Sequence, residues 1–310
     1  KINQLAESKN DKPFLLAVGF VRPHTPLIAP KKYFDMYPLE DIQLANILEN
    51  DKDDTFRNYS SKNESDNSKS NNNTLTHNQL RKRWTEMYFK LAKSYDDPKE
   101  GLRRFTQAYL ACVSAVDDNI GQVVDAIDNS KFKDNTIIVL VSDHGWTMGE
   151  KDHLYKNSLW EESTRIPMTI RVPGMTKPNS KVNHPVSLID IYPTLLDLAA
   201  IDNNTVKNEK GKPLDGYSLK PFLLDPKTKN WDGPEAALTV VYSSDKNKNK
   251  AANHHYSVRT KDWRYIIYDS GKEELYHNHK DPKEWDNLVF GKTHPKRDEM
   301  VKILKKMTYP

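Results

Sequence analysis

The sequence contains a single cysteine, Cys112, in 310 residues, so it forms no internal disulfide and its cysteine content does not identify a compartment. No apolar run approaches the roughly 20 residues of a membrane-spanning helix, which excludes a transmembrane span. The first residues contain no apolar stretch typical of a signal peptide. Nucleotide-binding glycine-rich loops, paired Cys-x-x-Cys motifs and internal repeats are also absent. The function must therefore be inferred from other local motifs.

The composition indicates a polar protein with 29% charged residues and a mean hydropathy of −0.82. A chain of this length can bury the core of one large domain, with or without a small appendage. The 47 basic and 43 acidic residues give a net charge of +4. This small excess would help to attract an anionic polymer but does not require nucleic acid, and no nucleic-acid partner is expected.

One apolar segment ends in a polar turn that could bind a metal. Residues 136–141 are apolar or β-branched, and Ser142, Asp143, His144 and Gly145 follow them. This pattern predicts a strand buried on both faces, whose carboxyl end lies where open α/β sheets bind ligands. Asp143 and His144 offer an oxygen and a nitrogen to a divalent cation. Taken alone, the pair is equally consistent with a cap of the next element.

A second apolar segment, residues 13–21, predicts another buried strand, and His24 follows it between Pro23 and Pro26. The two prolines restrict the backbone on both sides, which suits a catalytic imidazole. The structural alternative is a loop histidine bonded to a carbonyl group.

The middle of the chain changes composition twice. Residues 51 to about 79 are rich in Ser, Asn and Asp and predict a mobile surface insertion. Residues 80–129 have apolar side chains at helical spacing, which predicts a long helix with Cys112 in its core-facing stripe. Asp117 and Asp118 interrupt that stripe and are interpreted as solvated acids or acids with local bonds.

Residues 236–310 predict a separate C-terminal subdomain, and residues 1–235 the main domain. The segments 238–242, 256–260, 263–268 and 273–276 are typical of short strands, and residues 292–306 of a terminal helix. Adjacent short strands with one helix favour a small antiparallel α+β unit packed on the main domain.

The segment from residue 142 to residue 174 resembles the sulfatases of the alkaline phosphatase superfamily, most closely the iduronate-2-sulfatase type. It contains Ser-Asp-His-Gly, Gly149-Glu150, Lys156, Glu-Glu-Ser-Thr-Arg-Ile-Pro at 161–167, and a final Pro-Gly. The segment 12–26 is similar to the stretch that carries the sulfate-contacting His of that family. The resemblance implies an α/β fold with a mixed sheet between helices and a small C-terminal antiparallel α+β subdomain.

The resemblance also implies roles for individual residues. Asp143 and His144 would bind Ca²⁺, with Mg²⁺ or Mn²⁺ as alternatives, while His24 and Lys156 would contact the sulfate ester. His153 and Trp146 are expected to line the substrate pocket. Nearby, Glu161, Glu162 and Arg165 are expected to form ion pairs within one helical turn.

The nucleophile of that family is absent from this sequence. Sulfatases carry a Cys or Ser in Cys/Ser-x-Pro-x-Arg, which is oxidised to formylglycine, and Cys112 is followed by neither the Pro nor the Arg. The formylglycine and the first pair of metal-binding acids are therefore expected in an upstream segment or partner chain. The resemblance favours a secreted, periplasmic or lysosomal protein.

Three functions follow as hypotheses. The first is hydrolysis of sulfate esters on a saccharide, such as a uronate or hexosamine of an acidic polysaccharide. The second is hydrolysis of phosphoesters or phosphonates by an enzyme of the same superfamily. The third is a non-catalytic protein that binds a sulfated sugar.

Overall fold

The computed structural model describes residues 1–9, 12–56, 86–202, 204, 206, 209–242 and 254–308. Its helices are α1 (Ile2–Glu7), α2 (Lys31–Phe34), α3 (Glu86–Lys93), α4 (Pro98–Asp128), α5 (Glu161–Thr164), α6 (Ile191–Leu198), α7 (Lys220–Leu224) and α8 (Pro295–Thr308). Its strands are β1 (Ile138–Val141), β2 (Met168–Arg171), β3 (Ala237–Tyr242), β4 (His254–Arg259), β5 (Arg264–Ile267) and β6 (Glu273–Tyr276). Within the described ranges, no helix combines the length and apolar character needed to cross a membrane.

Helix α4 is the longest element of the described residues and packs against α2. Asp97 caps it by accepting a hydrogen bond from the backbone N–H of Lys99, and Pro98 occupies its first turn. Cys112 is fully buried on its inner face, where desolvation raises the pKa of the thiol. Asp118 accepts hydrogen bonds from Tyr33 and Lys32, both in α2. The interpretation of Cys112 as a core residue is therefore confirmed, and Asp118 is a surface acid as expected, although its bonds are not local.

The strand before Asp143 is less buried than its sequence predicted. β1 pairs antiparallel with β2, from Ile138 opposite Arg171 to Val141 opposite Met168. Among the described residues β2 is its only partner, so Leu140 and Val141 remain 38% and 37% exposed. The prediction of burial on both faces is therefore wrong for this chain.

Residues 13–21 do not form the second buried strand that was predicted. They have no strand assignment, and Leu15 and Val21 are 87% and 73% exposed. A buried strand needs a hydrogen-bonded neighbour and a covering layer. Within the described part of the chain, no strand pairs with this segment, and its apolar side chains lack such a cover.

The C-terminal strands form the antiparallel sheet that the sequence predicted. Their order is β3-β4-β5-β6, and α8 packs on one face through Met300 and Ile303. Side chains alternate between the two faces along each strand. Tyr265 therefore packs towards α8, while Ile266 packs on the other face against Trp160. The division of the chain at residues 235 and 236 stays a prediction.

The mobile insertion was predicted to begin at residue 51, but residues 51–56 are part of the fold. Asp51 and Lys52 lie in a 3₁₀ turn, Asp51–Asp54, and are buried. The Lys151 ammonium donates hydrogen bonds to Asp51 Oδ1 at 2.7 Å and to the Glu284 carbonyl oxygen at 2.5 Å. These ionic partners explain how a charged turn is buried. Residues 51–56 thus belong to the fold, and residues 57–79 lie outside the described part of the chain.

Candidate active site

The turn after β1 is held against the segment that leads into β2. The Gly145 N–H donates to the Ser163 carbonyl oxygen at 2.8 Å, and the Ser142 N–H donates to that of Pro167 at 3.4 Å. A Cβ atom at Gly145 would lie 2.1 Å from the Glu162 carbonyl oxygen. Only glycine allows this close approach, so the local packing fixes the turn that carries Asp143.

The His144 ring is arranged as a metal ligand would be. Its Nδ1 lies 2.8 Å from the Gly145 carbonyl oxygen, and because a carbonyl only accepts, Nδ1 must carry the proton. In the neutral ring Nε2 then keeps its lone pair. Nε2 lies 3.6 Å from Asp143 Oδ2. Two ligands that bind one Ca²⁺ at about 2.4 Å, with an angle of roughly 90–100° between them, would be about 3.4–3.7 Å apart, so this spacing is compatible with a shared cation.

The pair supplies only part of a cation site. Among the described residues, no group of three or more His, Cys, Asp or Glu side chains could hold a metal ion. His184 makes the same type of bond to the Pro185 carbonyl oxygen at 2.8 Å. Within the described ranges no carboxylate lies within ion-pair distance of His184, so His144 differs from it by the adjacent Asp143 carboxylate. The remaining ligands of a cation here would have to come from elsewhere.

Asp143, His144 and Lys156 line one cavity of about 1090 Å³. The Lys156 ammonium lies 5.9 Å from the ring centre of Tyr155. In the ranges that the structure covers, it has no carboxylate partner. The cavity therefore combines a candidate cation site with a lysine whose charge is available for an anion.

His24 lies on a different loop and does not line this cavity. Its side chain is exposed, and Nδ1 lies 2.6 Å from the Thr25 carbonyl oxygen, which leaves Nε2 for another partner. The Arg22 guanidinium closes the loop by donating to the carbonyl oxygens of His24 and Ile28, each at 3.2 Å. The sulfate-contacting role of His24 stays a prediction.

His153 and Trp146 also lie outside the cavity lining. His153 is 5% exposed, and its ring centre is 6.3 Å from that of Trp160. Trp146 lies among aromatic rings, 5.5 Å from Tyr155 and 6.3 Å from Phe105. These contacts give both residues a packing role, and their expected contact with substrate stays a prediction.

The local ion pairs expected within α5 are not formed. Glu161 instead accepts from Arg264 and from Arg259 Nε, the latter at 2.9 Å, and Glu162 pairs with Lys283 at 2.9 Å. Desolvation would raise the pKa of Glu161, but the two guanidinium groups outweigh it and lower that pKa to about 2. The acids of α5 therefore face the C-terminal subdomain.

Several basic residues of the cavity wall were missed by sequence reasoning. They come from three separate segments of the chain, and the sequence gives no signal that these segments meet; they are Arg165, Lys177, Lys181, Arg259 and Lys261. Only the three-dimensional fold reveals the excess of positive charge around the cavity.

Comparison with known families decides the assignment. The model of the family described as "Sulfatase" matches residues 1–201, and that described as "N-sulphoglucosamine sulphohydrolase, C-terminal" matches residues 149–309. The chain belongs to the sulfatase family. The recognition of a sulfatase of the alkaline phosphatase superfamily is therefore confirmed, as is the mixed α/β fold class. Sulfatases in general use a divalent metal and a formylglycine.

Known sulfatases are similar along most of this chain. A sulfatase of Formosa agariphila is 34% identical over 298 residues, which cover 96% of this chain and 50% of that protein. The chain thus spans about half the length of this curated relative. The iduronate 2-sulfatase of Mus musculus is 32% identical over 170 residues, covering 54% of this chain and 28% of its own length. The comparisons support a sulfatase without selecting the iduronate type.

Two solved structures define the likeness in three dimensions. The first is a protein whose structure was solved in complex with its substrate, D-glucosamine-2-N,6-O-disulfate. It is 28% identical to this chain, with a TM-score of 0.59, and the match covers 71% of this chain and 44% of that protein. A phosphonate monoester hydrolase of Agrobacterium radiobacter is 24% identical, with a TM-score of 0.69, over 99% of this chain and 58% of its own. The second likeness concerns the fold alone.

Proposed function

We propose that the protein to which this chain belongs hydrolyses sulfate esters on a saccharide. The observation that carries the proposal is the pairing of Asp143 Oδ2 and His144 Nε2, 3.6 Å apart, in a cavity also lined by Lys156. Membership of the sulfatase family supports the reaction class. The relative solved with a disulfated glucosamine supports a sulfated sugar as the substrate class.

Asp143 and His144 would hold a divalent cation, with Ca²⁺ as the first choice and Mg²⁺ or Mn²⁺ as alternatives. Such an ion supplies electrostatic stabilisation of the charge that develops on an oxyanion. Ca²⁺ takes six to eight ligands, mostly oxygen atoms, so two side chains cannot complete its shell. The proposal therefore requires further acids from outside the described residues.

Lys156 would bind the sulfate oxygens. Its ammonium has no carboxylate partner in the described part of the chain and faces the same cavity as the Asp143–His144 pair. His24 would bind the sulfate ester from its own loop and, in its imidazolium form, give the Nε2 proton to the departing alcohol. Its Nδ1 already bonds to Thr25, so Nε2 is the atom that would act.

A formylglycine on an upstream segment or partner chain would supply the nucleophile. The chain covers 50% of the Formosa agariphila sulfatase, so a protein of similar length would also contain such a segment. The exposed apolar side chains of Leu15, Val18 and Val21 support further polypeptide packing beside residues 13–21. A secreted, periplasmic or lysosomal location is part of the same proposal, as is a role in degrading an acidic polysaccharide.

The test is sulfate release from sulfated mono- and disaccharides by the full-length protein. Lys156→Ala and His24→Ala are expected to reduce kcat/KM by at least about 100-fold, because each removes a charged partner of the reacting group. A matched control is Lys305→Ala, an exposed lysine of α8. Full activity in both site variants would refute the assignment. Substrates that differ in sugar and sulfate position would test the iduronate preference.

The alternative within the same superfamily is hydrolysis of phosphoesters or phosphonates. Kinetics with a phosphonate monoester and a sulfate ester on the same preparation separate the two. A higher kcat/KM for the phosphonate would favour the second function. Binding of the sulfated sugar without release of sulfate would favour a non-catalytic role.

A further inference from the structure

Arg165 is an exposed arginine in the wall of the cavity that also contains Asp143, His144 and Lys156. Across the described residues, its guanidinium has neither a carboxylate nor a hydrogen-bond partner. An arginine beside two glutamates in one short helix would ordinarily pair with them. Arg165 does not, because both glutamates are paired with other cations.

The two glutamates of α5 are already occupied by other cations. Glu161, at 13% exposure, is held by Arg264 and Arg259, and Glu162 is held by Lys283. Arg264 is itself fully committed, because it also donates to Glu284 Oε1 at 2.6 Å and to the Leu159 carbonyl oxygen at 2.9 Å. The acids of the segment are thus neutralised by Arg259 and Arg264 of the C-terminal sheet and by Lys283, which follows β6.

Arg165 and Lys156 thus share a cavity that Lys177, Lys181 and Lys261 also line, and among the described residues neither of the two has a carboxylate partner. The backbone also positions Arg165 next to the candidate cation turn. Its N–H donates to the Glu161 carbonyl oxygen at 2.8 Å, and its own carbonyl oxygen lies 3.1 Å from where a Cβ would sit on Gly145. The residue is therefore packed directly against the turn that carries Asp143 and His144.

We infer that Arg165 is a substrate-binding residue that binds an oxyanion of the saccharide beside Lys156. The guanidinium group presents paired N–H donors that match two oxygens of a sulfate or carboxylate. The inference rests on the proposed sulfatase function and extends it, since it requires the site to hold its substrate by two cations from this chain. The oxyanion is either the sulfate that is cleaved or a second anionic group of the sugar.

Binding of inorganic sulfate to the full-length protein tests the inference without turnover. Arg165→Ala should weaken the calorimetric Kd by about 10-fold or more, the loss expected for a charge-assisted hydrogen bond. Arg165→Lys keeps the positive charge but loses the paired N–H donors of the guanidinium group. Its Kd for sulfate should lie between that of the wild type and that of Arg165→Ala. Arg104→Ala removes the same charge from a surface site on α4, with a side chain 51% exposed, and should bind as the wild type does.

A second titration, with D-glucosamine-2-N,6-O-disulfate, distinguishes the two oxyanions. If Arg165→Ala loses the same affinity for both probes, Arg165 binds the sulfate that is cleaved. If it loses affinity for the disulfate alone, Arg165 binds a second anionic group of the sugar. Unchanged Kd values for both probes in Arg165→Ala would overturn the inference. So would a lower Tm with unchanged Kd values, which would identify Arg165 as a structural partner of another acid. Wild-type protein that binds sulfate but releases none from any ester would instead overturn the proposed function.

Discussion

Glu161→Gln should separate the ionic contribution of α5 from its packing. The carboxylate is 13% exposed and lies between Arg259 and Arg264. Its pKa falls from the ordinary value of 4.5 to about 2, since attraction to the two guanidinium groups exceeds the cost of desolvation. At about 1.4 kcal/mol per tenfold change in the acid constant, the ionised form stabilises the fold by about 3 kcal/mol at neutral pH.

The pH dependence of this difference has a defined sign. The folded-state pKa is lowered, so the stabilisation is fully present above 4.5 and is lost as the pH falls through about 2. The free energy of unfolding of full-length wild type and variant should therefore differ by about 3 kcal/mol at pH 7 and by progressively less below pH 4.5.

Urea unfolding followed by tryptophan fluorescence at pH 7, 5 and 3.5 measures this difference. Glu162→Gln is the matched control, because its pair with Lys283 is 34% exposed on both sides and is expected to contribute less than about 1 kcal/mol. Equal effects of the two substitutions at pH 7 would refute the reasoning. A Glu161→Gln difference that stays constant down to pH 3.5 would do so as well.

Two other substitutions test buried contacts of the turns that follow β1. Lys151→Met leaves Asp51 buried without its cation and should lower the free energy of unfolding by about 3–5 kcal/mol. A change below about 1 kcal/mol in the same urea assay would contradict the buried pair. Gly145→Ala places a Cβ 2.1 Å from the Glu162 carbonyl oxygen, so it should displace the turn and weaken calorimetric Ca²⁺ binding by at least about 10-fold. Gly121→Ala, where a Cβ meets nothing within 4 Å, is the control, and equal Ca²⁺ affinity in both variants would show that the turn does not hold the ion.

The parts of the fold that depend on neighbouring residues could be predicted from the sequence. Alternation along β5 places Tyr265 on the α8 face and Ile266 on the other, and four such segments predict the C-terminal sheet. The turn of Asp143 and His144 was predicted for the same reason, since both residues follow β1 directly.

The parts that depend on distant partners could not be predicted. Asp51 lies in a polar stretch, and nothing near it indicates that Lys151, 100 residues along the chain, makes its burial possible. Glu161 is paired across 103 residues with Arg264 rather than within its own helix. Residues 13–21 have the apolar composition of a buried strand, but composition does not supply the neighbouring strand that burial requires.

A crystal structure of the full-length protein with Ca²⁺ and a sulfated saccharide tests the central claim most directly. Anomalous difference density should place one cation in contact with both Asp143 Oδ2 and His144 Nε2, at the roughly 2.3–2.6 Å typical of Ca²⁺. The sulfate group should lie within hydrogen-bond distance of Lys156. A cation bound away from this pair, or a sulfate bound away from Lys156, would contradict the account.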